Sequence, residues 1–82
     1  MMKVIKRDGR VVDYDRNKII VAIQKANAAV DPEERISEDQ ISAIANAVQE
    51  KNRPRLLVED IQDMVETGIM EMRGYEVAQK YV

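Results

Sequence analysis

The chain has 82 residues, with 13 lysines and arginines against 15 aspartates and glutamates, and it contains neither cysteine nor histidine. That length is one domain with a modest core. The missing residue types exclude disulfides, thiolate metal sites and the commonest metal ligand and near-neutral general base, so a zinc site and most acid–base catalysis fall away. Carboxylates remain, and they suit a hard cation such as magnesium carried on phosphates. No apolar run approaches the ~20 residues that cross a bilayer, and Met1-Met2-Lys3-Val4 lacks the apolar centre of a signal peptide. A cytoplasmic domain with no membrane partner is the expectation.

Net charge is −2, which argues against a general nucleic-acid binder. The charge is unevenly placed. Residues 1–18 carry six cations (Lys3, Lys6, Arg7, Arg10, Arg16, Lys18) and three anions (Asp8, Asp13, Asp15), whereas the remainder is net acidic. A positive end of that extent suits a small anion; ordinary solvated charge on a hairpin is the competing reading.

Residues 3–7 and 10–14 alternate as two strands around Asp8-Gly9, a strong hairpin signal between β-branched residues. A two-residue turn would set Arg7 opposite Arg10, where like charges repel unless an anion lies between them. Asp15 is placed to cap a first helix opening at Arg16. Ile19, Ile23, Ala26 and Val30 share one face, and Asp31-Pro32 ends the helix near residue 29.

Ser37 with Gln40 predicts a capping box, and Ile36 with Ile41 a hydrophobic staple, for a second helix. Its buried face is Ile41, Ile44, Ala45 and Val48, and it ends at Lys51-Asn52. After the break at Arg53-Pro54-Arg55, Leu56-Leu57-Val58 predicts a short third strand beside the hairpin. Glu59-Asp60 open a third helix whose apolar face is Ile61, Met64, Val65, Ile69 and Met72, with Gly74 as its C-cap. A fourth helix begins near Tyr75, with Val77, Ala78, Tyr81 and Val82 apolar. It ends on Val82 without a capping signal, so it is expected to be cut short there. The fold expected is α+β: a small four-helix bundle capped by a three-stranded β-sheet, made of the N-terminal hairpin and the short third strand.

Catalysis has little to work with. Asp60, Asp63 and Glu66 lie on a polar helix face, which is an ordinary solvated arrangement. Gly9, Gly68 and Gly74 form neither a P-loop nor a dinucleotide fingerprint. Phosphate binding has a better physical route: a helix start with cations beside it. The second strand feeds the first helix, so its free amides and Lys18 are expected to converge with Lys6 and Arg7 on one polyphosphate. Lys18 also has a plain reading as a surface lysine, Ile61 as core and Gln62 as solvated.

Three separated strings carry a family resemblance. Val4-Ile5-Lys6-Arg7-Asp8-Gly9-Arg10 with Tyr14-Asp15 and Lys18-Ile19, then Val58-Glu59-Asp60-Ile61-Gln62-Asp63-Met64-Val65-Glu66, then Gly74-Tyr75-Glu76-Val77-Ala78-Gln79-Lys80-Tyr81 resemble the ATP-cone domain in the family's order. The likeness covers residues 1–82. It implies a regulatory ATP/dATP-binding module with no active site of its own. ATP cones control the overall activity of ribonucleotide reductases, ATP permitting turnover and dATP stopping it. This version looks most like the N-terminal cone of the anaerobic ribonucleoside-triphosphate reductase.

The resemblance places phosphate contacts at Lys6 and Arg7, a first-helix contact at Lys18, the base beside Ile19, and Val4 on the strand position that borders the nucleotide. Asp15 and Gln62 fall near base or ribose; the position of Val58 and Ile61 at the start of the third helix, read from the residues themselves, makes them the expected apolar wall against a base. Val12 stands where some members have an acid. The implied ligand is ATP or dATP, with magnesium travelling on the nucleotide. The implied partners are a reductase catalytic domain and a second cone. The alternative is the cone of a nucleotide-responsive repressor of reductase genes, which carries a cysteine zinc ribbon that does not precede this motif. A structural oligomerisation domain with a decayed site is the third reading.

Overall fold

The computed structural model describes residues 2–51 and 53–81. The described residues form β1 (Lys3–Ile5), β2 (Val11–Asp13), α1 (Arg16–Ala28), a 3-10 turn (Pro32–Glu34), α2 (Glu38–Glu50), β3 (Arg55–Leu57), α3 (Val58–Glu71) and α4 (Tyr75–Tyr81). This is the α+β architecture expected, four helices under a three-stranded sheet. The expected ends at Asn52 and Val82 lie outside the described residues.

The helices close a ring: α1 packs on α2, α2 on α3, α3 on α4 and α4 back on α1. Ile23, Ile41, Ile69, Val48, Val65 and Val77 are the largest of its fully buried side chains. Apolar residues at i, i+3 and i+4 supply these stripes, and burying each stabilises the fold by about 1.5–3 kcal/mol. Local signals set the boundaries. Asp15 accepts from the Asn17 amide at 3.0 Å and caps α1. Ser37 and Gln40 form the reciprocal capping box of α2, with Ile36 and Ile41 both buried as its staple. Asn27 bonds both the amide and the carbonyl of Ile36 at 3.0 Å, which fixes the entry to α2 against α1.

The sheet order is β2-β1-β3. β2 runs antiparallel to β1, with Ile5 facing Val11, while β3 runs parallel, with Ile5 facing Leu57. Val4, Val12 and Leu56 turn toward the helices, and the adjacent row of Ile5, Val11 and Leu57 turns outward.

Three details differ from expectation. The hairpin loop has three residues, Arg7-Asp8-Gly9. The Lys6 amide bonds the Arg10 carbonyl at 2.8 Å, the Gly9 amide bonds the Lys6 carbonyl at 2.9 Å, and Gly9 has φ 89°. That is a type I turn closed by a glycine bulge, and it sets Lys6, rather than Arg7, opposite Arg10. The third strand is Arg55–Leu57, and Val58 already opens α3, because the chain passes from strand to helix with no intervening loop.

The end of α3 also differs. Arg73, not Gly74, takes the left-handed conformation, with φ 63°. The Arg73 amide bonds the Met70 carbonyl at 2.9 Å and the Gly74 amide the Ile69 carbonyl at 3.0 Å, a Schellman pattern. Gly74 is needed for space: a Cβ there would lie 2.8 Å from Ile36 Cγ2 and 3.0 Å from Ile69 Cγ2. Gly74→Ala is therefore expected to destabilise the domain by about 1–3 kcal/mol through overpacking. Arg73→Gly is expected to stabilise it by about 0.5–1 kcal/mol by relieving the left-handed strain. Urea unfolding of the two variants measures both, and their signs should be opposite.

Candidate functional site

The topology decides which helix start meets the hairpin tip. Because β2 is antiparallel to β1, it carries the chain back to the Lys3 end before α1 begins. Because β3 is parallel to β1, it leaves beside Ile5, and α3 begins at the tip. The α1 start therefore lies one sheet length, roughly 10 Å, from the tip. The helix behind the hairpin cations is α3, which corrects the expectation for α1.

Between them lies a cleft of about 320 Å³ lined by Lys6, Arg7, Asp8, Arg10, Val58 and Gln62. Lys6 continues the inward side of Val4 and is half-buried. Arg7 belongs to the loop, so strand alternation does not send it to the opposite face. Its Nη2 donates to Gln62 Oε1 at 2.9 Å, and its Nε lies 3.8 Å from Glu59 Oε1. Arg10 is held by Asp8, Nε to Oδ2 at 2.7 Å and amide to Oδ1 at 3.1 Å. α1 and α2 have side-chain caps, but no side chain caps α3. Its first amides and three nearby cations make an anion-binding arrangement.

Four of the nine residues singled out from sequence meet around this cleft: Lys6, Arg7, Val58 and Gln62. Lys18 is exposed and lines a separate hollow on α1 with Asn17, Val21, Ala22 and Lys25. Asp15 is engaged in capping α1. Val4, Ile19 and Ile61 are core residues, 8%, 8% and 6% exposed. Sequence reasoning left Asp8, Arg10 and Glu59 out of the site. Arg10 had a signal in the hairpin register, whereas Glu59 had only its place in the first turn of a helix.

Another groove, between α2 and α3, is lined by Ile44, Val48, Met64 and Gly68 and rimmed by Lys51, Asp63 and Glu71. It has no surplus of positive charge and does not suit an anion. Among the described residues no cluster of three or more carboxylates could hold a metal ion, and no helix is long and apolar enough to cross a membrane.

The rest of the sheet is secured by charge at its far end. Lys3 Nζ donates to Asp13 Oδ1 across β1 and β2. On the neighbouring Tyr14, burial pushes the phenol above its usual range, and its hydroxyl is buried with no partner among the described residues.

A profile of the ATP cone domain matches residues 2–82. The chain belongs to the ATP-cone family. It is 39% identical over 69 residues to the vitamin B12-dependent ribonucleoside-diphosphate reductase of Thermoplasma acidophilum, covering 83% of this chain and 9% of that protein. It is 34% identical over 80 residues to the anaerobic ribonucleoside-triphosphate reductase of Haemophilus influenzae, covering 96% of this chain and 11% of that protein. It is 29% identical over 92 aligned positions to the ribonucleoside-diphosphate reductase subunit alpha of Chlamydia trachomatis, covering 99% of this chain and 9% of that protein. The chain thus spans about a tenth of the curated relatives it matches.

The hydrogen bond from Lys3 is the main cause that holds the Asp13 carboxyl below its ordinary value of 3.8, with the Lys3 charge second. A lowered folded-state value stabilises the sheet above pH 3.8, and that contribution is lost as pH falls through the folded value. A carboxyl-carbon NMR titration should find Asp13 with a midpoint below 3.8. Lys3→Ala should return it toward 3.8, and an unchanged midpoint would dismiss the pairing.

Proposed function

We propose that this ATP cone binds ATP and dATP as allosteric effectors, with the triphosphate in the cleft between the hairpin tip and the start of α3. The observation that carries the reading is the gathering of Lys6, Arg7 and Arg10 over a helix start without a side-chain cap. Lys6 contributes a mobile point charge, and Arg7 a planar fork suited to phosphate oxygens. The α3 amides add donors that need no side-chain rearrangement. Magnesium, in this reading, travels on the phosphates.

The nucleoside then runs along the inner side of β1 toward α1. Lys18 and Asp15 stand at that end, and Gln62 offers an amide near the phosphates. Val4, Ile19 and Ile61 present little surface, so a base reaches them only as the hairpin lifts from the helices. That gives two arrangements of one lid. A nucleotide shifts their balance only by binding one better than the other. ATP and dATP differ at the 2′-hydroxyl, so any opposite effects of the two originate around the ribose or in the number bound.

The domain performs no reaction in this proposal. Its reader is the catalytic body of a parent ribonucleotide reductase, or a second cone packed against it.

Isothermal titration of the domain with ATP and with dATP tests the reading. Lys6→Ala and Arg7→Ala each remove a charge-assisted phosphate contact and should weaken binding by about 1.5–3 kcal/mol, roughly ten-fold or more. Lys18→Ala should cost less, because that ammonium is exposed and stands apart from the cleft. Absence of heat and of thermal stabilisation with both nucleotides would refute the proposal.

A further inference from the structure

We propose that Arg7 is a latch: in the empty domain Gln62 and Glu59 hold the hairpin tip on α3, and an incoming phosphate must take Arg7 from them. The inference rests on the nucleotide site proposed above and names the residue that sets its threshold.

Three observations carry it. The contact bridges residues 55 positions apart, so it joins two separate walls of the cleft, not neighbours on one element. Lys6 has no ion-pair partner among the described residues, whereas Arg7 and Arg10 both do. Glu59 is in the first turn of α3, and its carboxylate lies 3.8 Å from Arg7 Nε, so it faces the guanidinium from the helix start.

Arg10 and Asp8 are only two residues apart, so their pair stiffens the loop without closing anything. Among the described residues, Arg7 alone links the loop to the bundle through a side-chain hydrogen bond or ion pair. Phosphate binding is then an exchange: the guanidinium leaves a neutral amide and a carboxylate for a more highly charged acceptor. The tip is afterwards joined to α3 through the anion itself. Arg7 and Glu59 have side chains 68% and 62% exposed, so their attraction is weak and the latch opens at modest ligand concentration. Gln62 supplies geometry and Glu59 supplies charge, so the two have different signatures.

The test is a double-mutant cycle on this domain, titrating ATP at low and high salt into the native chain, Glu59→Gln, Arg7→Ala and the double variant. Glu59→Gln should tighten ATP binding about two- to five-fold at low salt, and the gain should shrink as salt screens it. In the Arg7→Ala background the same substitution should change nothing, because no latch remains. Without ligand, Glu59→Gln should also shift the Arg7 Nε–H NMR resonance. An unchanged affinity for Glu59→Gln overturns the latch. So does an equal gain in both backgrounds, which would mean that Glu59 merely repels phosphate. If Arg7→Ala binds ATP as tightly as the native chain, the site assignment fails, a result separable from failure of the latch alone.

Discussion

The parallel pairing of β1 with β3 is the constraint on which the rest of the structure depends. β1 is the central strand, and its two neighbours leave it in opposite directions. β2 hands the chain to α1 at one end of the sheet, and β3 hands it to α3 at the other. Three residues of each strand suffice to set the Lys6-Arg7-Arg10 tip over the start of α3 and to set α1 apart from it. A sheet this small is marginal alone, and the closed ring of helices beneath Val4, Val12 and Leu56 holds it.

The electrostatics follow from that placement. A net acidic chain concentrates its cations in the first eighteen residues, and the hairpin folds three of them around one cleft. The chain also supplies Asp8, Gln62 and Glu59 as partners for two of those cations. Those contacts keep the hairpin tip from a costly pile of like charge, and in the proposed reading they compete with a ligand.

Much of the fold was legible in the residues themselves. Asp15, Ser37 with Gln40, and Ile36 with Ile41 act within one helical turn of where they stand in the chain, and all appear as expected. The apolar stripes at Ile19-Ile23-Ala26 and Ile41-Ile44-Ala45-Val48 were legible because helical periodicity is a local property. The hairpin was legible, but its register was not: a glycine serves equally in a two-residue turn and in the bulge found at Gly9. Gly74 misled in a related way. A glycine after a helix suggests a left-handed cap, yet its task is to admit Ile69 one turn back and Ile36, which is far away in the chain.

Sequence alone determined the α+β class, the helix starts, the buried stripes and the basic hairpin, because each rests on interactions between residues a few positions apart. The tertiary structure decided which helix start faces that hairpin, that Lys18 stands in another hollow, and that Glu59 and Gln62 hold Arg7. Those depend on strand direction, and pairing direction is a contact between segments some fifty residues apart, which no local pattern records.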